Sequence, residues 1–272
     1  MIATALAGVR VLSLALNVPG PAAVARLVVL GASAVKIEPP GGDPLAVLCP
    51  AWYDALHRGV ERRMLDLKSA TGQEALRAML ADADVLLTSQ RPAALERLGL
   101  GTDRIAALRP RLRHVRIVGD TRTPDRPGHD VTYQAEAGLL VDRLPLTLLA
   151  DMVGAERTVS AVLLALRSAP GTSVDVGLRE AVEALTAPAS HGLTAAGGLL
   201  GGGLPAYGVY AARDGHVAVA ALEPHFRARL YDALALPLDA PLAEVMATRT
   251  TADWEAFAES HDLPIAVARP PR

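Results

Sequence analysis

The chain has 272 residues, 51% of them apolar and only 3% aromatic, and a formal net charge of −2. That length builds one large domain or two smaller ones. The core must come mainly from Ala, Leu and Val, as in helices packed on buried strands. A near-neutral balance with no basic stripe argues against nucleic acid as a partner. The single cysteine, Cys49, excludes an internal disulfide and a cysteine-based metal cluster, and is expected to be a small buried or semi-buried residue.

The apolar opening, MIATALAGVRVLSLAL, has no basic stretch before it and is interrupted by Arg10. Asn17, Pro19 and Gly20 close it too early for a membrane span. It reads as the first buried strand, over 9–16, of a cytoplasmic protein. A helix over 21–30 follows, with Pro at its start and Gly31 past its end, and then a strand over 34–37.

The pattern repeats. Strands are predicted over 63–67, 85–88 and 114–118, and helices over 70–81, 92–98 and 104–108. Strands alternating with helices predict an α/β fold, a doubly wound, mostly parallel, Rossmann-like sheet over about residues 1–120, within a large domain spanning 1–190. A ligand is expected at the carboxyl ends of its strands.

Helices over 133–140 and 151–166, a strand over 173–176 and a helix over 178–185 complete that domain. The glycine-rich stretch 195–207 reads as a loop, since no Gly-x-Gly-x-x-Gly follows a strand. Residues 191–272 read as a second, smaller α+β domain. It holds a hairpin turning at Asp214–Gly215, helices over 224–235 and 251–260, and a final segment without helical period.

The stretch 128–151, GHDVTYQAEAGLLVDRLPLTLLAD, carries the chemistry. His129 and Asp151 can each hold a proton near neutral pH if their surroundings tune them. By residue type alone, a His-Asp pair is more often a surface pair, and an Asp before an apolar helix is more often an N-cap. The apolar run between them should fold Asp151 back toward His129. The amides of Met152 and Val153 are expected to be free to face an anion. No His-x₃-His or Cys-x₂-Cys spacing occurs, so no metal is expected.

Several stretches together resemble the family III CoA-transferases (the CaiB/BaiF group). They are GVRVLSLALNVPGPAAVARLVVLGASAVKIEPPGGDPL, LDLKSATGQEALRAMLADADVLLTSQRPAALERLGLG, PGHDVTYQAEAGLL, PLTLLADMVGA, GTSVDVGLREA, LPAYGVYAARDGHVAVAALEPHF and HDLPIAV. They occur in the family's order along nearly the whole chain. Gly128-His129-Asp130 and Glu223-Pro224-His225-Phe226 lean toward the α-methylacyl-CoA racemase branch, while the glutamine used by transferases falls on Val18. The segments before Gly128 and before Leu204 are shorter than in typical members.

The resemblance implies that Asp151 is the catalytic aspartate, His129 the racemase histidine, and Glu223 the carboxylate that orients it. It implies CoA contacts at Lys36, Arg97, Asp130 and Tyr133, an acyl-CoA substrate, no cofactor beyond it, no membrane, and a homodimer. Three readings follow: proton transfer at the thioester α-carbon, CoA transfer through an aspartyl thioester, or acyl-CoA binding alone. Transfer would leave His129 a spectator.

Overall fold

The computed structural model describes residues 4–140 and 143–270. The chain divides into two units, Met1–Thr186 and Ala187–Arg272. In the first, strands β1 (Arg10–Ser13), β2 (Ser33–Glu38), β3 (Val60–Met64), β4 (Val85–Thr88), β5 (Arg113–Val118) and β6 (Ser173–Gly177) form one sheet in the order β3-β2-β1-β4-β5-β6. Every pairing is parallel. The intervening helices are α1 (Pro19–Val29), α2 (Pro44–Leu48), α3 (Pro50–Leu56), α4 (Ala70–Asp82), α5 (Pro92–Arg97), α6 (Thr102–Leu108), α7 (Asp130–Glu136) and α8 (Leu149–Arg167), with α9 (Leu178–Glu183) after β6.

The two-residue period of the strands divides the core. Val11, Val85 and Leu87 pack with Val24 and Leu27 of α1 and Ala155 and Val162 of α8. Leu12 and Leu86 point the other way, onto Leu76 and Leu80 of α4 and Ile105 of α6. Small residues bring α8 close to its neighbours: Ala150, Gly154, Ala155, Ala161 and Ala165 are all buried. A Cβ on Gly154 would sit 2.3 Å from Leu178 Cδ2. Strand order reverses about β1, whose neighbours are β2 and β4. Such a reversal opens a crevice at the carboxyl ends of the strands.

The second unit contains α10 (Ala187–Ser190), β7 (Tyr207–Ala212), β8 (Gly215–Ala220), α11 (Pro224–Leu234), α12 (Ala243–Met246), α13 (Thr251–His261) and β9 (Ile265–Val267). β8 is the centre of a three-stranded antiparallel sheet. Trp254, Tyr231, Leu230 and Met246 are fully buried around it, and the Trp254 indole donates to the Met246 carbonyl at 2.9 Å.

Several expectations change. The strand expected over 63–67 is β3, three residues earlier. As an edge strand it is charged and exposed, which blocks further pairing but hides it from an apolar pattern. The turn-like EPPGGDP text precedes two short helices, α2 and α3, each with Pro in its first turn. Cys49, at their junction, is exposed rather than buried. The helix expected from Tyr133 starts at Asp130, and the one expected from Asp151 starts at Leu149. The final segment contributes β9. Among the described residues no helix is long and apolar enough to cross a membrane.

Lys36, expected at a CoA contact, lies on β2 only 1% exposed. Its ammonium donates to Asp43, to Glu38 at 3.1 Å and to His57 Nε2 at 2.9 Å, which uses all its protons. The Nδ1–H of His57 donates to the Tyr53 carbonyl at 2.6 Å, and the Tyr53 hydroxyl donates to Glu38 at 2.6 Å. Burial first, and the Lys36 charge after it, hold the His57 imidazole below its ordinary range. Asp43 then accepts the amide protons of Leu45 at 2.9 Å and Asn17 at 3.1 Å. The cluster thereby caps α2 and pins the turn after β1, where Asn17 takes the left-handed conformation at φ 64°. Lys36→Met removes the ammonium that pairs both Asp43 and Glu38 in the interior, and leaves Asp43 without its ion-pair partner. It should cost about 3–5 kcal/mol in urea unfolding; a loss under about 1 kcal/mol would mean that the ammonium is not what holds the cluster.

Candidate active site

A cavity of about 250 Å³ opens at the crevice of the sheet. Leu16 and Asn17 enter it from the end of β1, Ser89 and Arg91 from the end of β4, and Gly119 from the end of β5. His129, Tyr133 and Asp151 line the same cavity, although α7 and a long connection separate the first from the last.

Asp151 stands in the first turn of α8, partly buried. Its own backbone N–H is too early in the helix to find an intrahelical acceptor. The Asp130 carboxylate, 4% exposed at the start of α7, takes that proton at 3.1 Å. The contact that ties the two helix starts together therefore also holds one carboxyl beside another. Burial above all, and then the Asp130 charge, push the Asp151 carboxyl up from 3.8 to about 7. The amide of Met152 is not free as expected: it donates to the Leu148 carbonyl at 2.9 Å, because α8 begins two residues before Asp151.

His129 is the N-cap residue of α7 and is exposed at the cavity. Thr132 fixes its backbone, accepting the His129 N–H at 3.0 Å and donating to its carbonyl at 2.7 Å. Tyr133, 7% exposed, projects its hydroxyl between two glycines: a Cβ on Gly119 or Gly128 would lie 2.1 or 2.4 Å from that oxygen. Close approach of this ring is the physical reason for glycine before His129. Burial, and then the Asp151 charge, raise the Tyr133 phenol above its ordinary value, so at neutral pH it remains a donor.

Asp130 sits behind Asp151, with Gln134 donating to its second oxygen. Lys36 is enclosed in its acidic cluster. Arg97 is exposed in the last turn of α5 and does not line the cavity. Glu223 is an exposed residue of the second unit, at the N-cap position of α11, where its side chain makes no capping bond. The cavity adds residues that the sequence did not single out: Asn17, Arg91 and Arg126. Their one legible signal is position, since Asn17 and Arg91 stand just beyond the ends of strands at the crevice.

The family model for CoA-transferase family III matches residues 6–272. The chain belongs to CoA-transferase family III. Human alpha-methylacyl-CoA racemase is 31% identical over 295 residues, covering 92% of this chain and 74% of that protein. Succinyl-CoA--D-citramalate CoA-transferase of Chloroflexus aurantiacus is 32% identical over 200 residues, 65% of this chain and 50% of the transferase. Among solved structures, Rv3272 of Mycobacterium tuberculosis has a TM-score of 0.84 at 25% identity, covering 97% of this chain and 82% of that one. Racemases and transferases of family III are thus similar to this enzyme at comparable identity.

The raised Asp151 carboxyl has a consequence for stability. Its folded-state value lies above its unfolded one, so its contribution to stability is full below about pH 4 and is lost as pH rises through about 7. Asp151→Asn has no carboxyl to ionise. Its melting temperature relative to the wild type should rise by a few degrees from about pH 5 to about pH 8. A difference that stays constant over that range would mean that Asp151 titrates at its ordinary value.

Proposed function

We propose that this family III enzyme moves a proton at the α-carbon of an acyl-CoA thioester, as an α-methylacyl-CoA racemase does. The observation that carries the reading is the convergence of His129 on an Asp151 whose proton is exchangeable near neutral pH. An α-proton of a thioester is too weakly acidic for an unaided side chain. A base on one face and an acid on the other contribute about 10² to 10⁴ in rate.

His129 and Asp151 take these two parts, exchanging roles with the direction of the reaction. The neutral Tyr133 hydroxyl is a donor for the negative charge that develops on the thioester oxygen. Arg91 and Arg126 at the cavity offer cations for the phosphates of CoA, with Arg97 as a further candidate. The carboxylate that orients His129 is, by the family resemblance, Glu223. The substrate is the CoA thioester itself, the side chains supply the proton transfers, and the setting is cytoplasmic. A homodimer belongs to the same proposal, supported by the exposed Val47, Leu48 and Met64 of the first unit.

CoA transfer would use Asp151 as a nucleophile. A carboxyl that is half protonated near neutral pH is weakened in that role and strengthened as an acid and base. Incubation with a 2-methylacyl-CoA in D₂O separates the two. His129→Ala should reduce α-deuteration by at least about 10²-fold, and Asp151→Ala should do the same. Unchanged α-deuteration in His129→Ala, with CoA passed to an added carboxylic acid, would replace proton transfer by CoA transfer.

A further inference from the structure

Gln134 is completely buried on α7, one turn beyond Asp130, and no reading above uses it. Its amide nitrogen donates to Asp130 Oδ2 and to the Thr147 carbonyl at 3.3 Å, just ahead of α8. Its amide oxygen has no hydrogen-bond partner. Leaving a buried amide oxygen unpaired costs free energy that an apolar side chain of the same size would avoid. The polar residue is therefore held here for what its N–H groups do. Both of the acceptors belong to the apparatus that sets Asp151: one is its neighbouring carboxylate, the other the backbone leading into its helix.

We infer that Gln134 is a positioning residue for Asp151, acting through Asp130. The inference rests on the assignment of Asp151 as an acid and base. Asp130 receives two donors, the Asp151 N–H on one oxygen and Gln134 on the other. Both bonds fix the Asp130 carboxylate in place against the start of α8, where its charge adds to burial in raising the Asp151 carboxyl. The charged or titratable groups that line the cavity with Asp151 are Tyr133 on α7 and His129, Arg126 and Arg91 on its wall, with Glu136 and Asp120 acting on Tyr133 from behind. From the turn after β1 and the starts of α1 and α9, the described residues that line the cavity are uncharged: Leu16, Asn17, Pro19 and Leu178.

The test is carboxyl NMR of the free protein with labelled aspartate, so it reads no turnover. Gln134→Met keeps the volume and removes the donor. The midpoint of Asp151 should then fall by about one pH unit. The same substitution made on Asp130→Asn should move it no further, since the two act in series. In the wild type, the labelled Gln134 side-chain amide should shift with the Asp151 midpoint, and Asp151→Asn should abolish that shift; this arm needs no altered Gln134. An unmoved Asp151 midpoint in folded Gln134→Met, or a Gln134 amide that does not change between about pH 5 and about pH 9, overturns the inference. If the NMR arms hold while α-deuteration is absent from every variant and from the wild type, the proton-transfer reading fails and the positioning role stands.

Discussion

Two carboxyl groups are forced together where α8 begins, and the candidate site depends on that contact. A helix start has amides without partners, and a buried start needs an acceptor from outside. Here the acceptor is Asp130, so satisfying the backbone of Asp151 places a negative charge against its side chain. Capping that stabilises the start of α8 thus destabilises the ionised form of Asp151. The helix dipole acts the other way, favouring an anion at the same place. Burial and the Asp130 charge win, because Asp151 is held at about 7.

The scaffold makes this arrangement possible by rigidity on both sides of the crevice. On one side α8 packs its alanine face against the sheet, so its first turn cannot swing away from α7. On the other side the buried Lys36 cluster holds the turn after β1 through the Asp43 bond to Asn17. A buried ammonium with only part of its bonds made would be costly, whereas Lys36 has acceptors for all of them. The wall of the cavity is therefore set by charges that never face it.

Most of the sheet was legible because buried parallel strands are continuous apolar runs, as in VLLT at 85–88, which is β4 with its ends as expected. Legibility failed where charge replaced apolar pattern. β3 is an edge strand of VERRM, and the enclosure of Lys36, expected at a CoA contact, was not legible because its partners lie at positions 38, 43 and 57. The short helices α2 and α3 depend on Pro44, Pro50 and the Asp43 cap, signals that also mark turns. In the site, the residue types of His129 and Asp151 and the family likeness named the pair, and the fold adds their shared cavity. Gln134 is spaced one helical turn from Asp130, but the contact of Asp130 with Asp151 and the meeting of Asn17, Arg91 and Arg126 at the cavity arise only in three dimensions, where no sequence spacing announces them.

The pH dependence of α-proton exchange reads most directly whether the Asp151 carboxyl gives up its proton near neutrality. The rate of deuterium uptake into a 2-methylacyl-CoA should be measured in D₂O from about pH 5 to about pH 9 under limiting substrate, which reads the free enzyme. A limb with a midpoint near 7 that is lost with the exchange activity in Asp151→Asn is the expected result. Exchange that proceeds at full rate in Asp151→Asn, or a profile with no limb between about pH 5 and about pH 9, would contradict it.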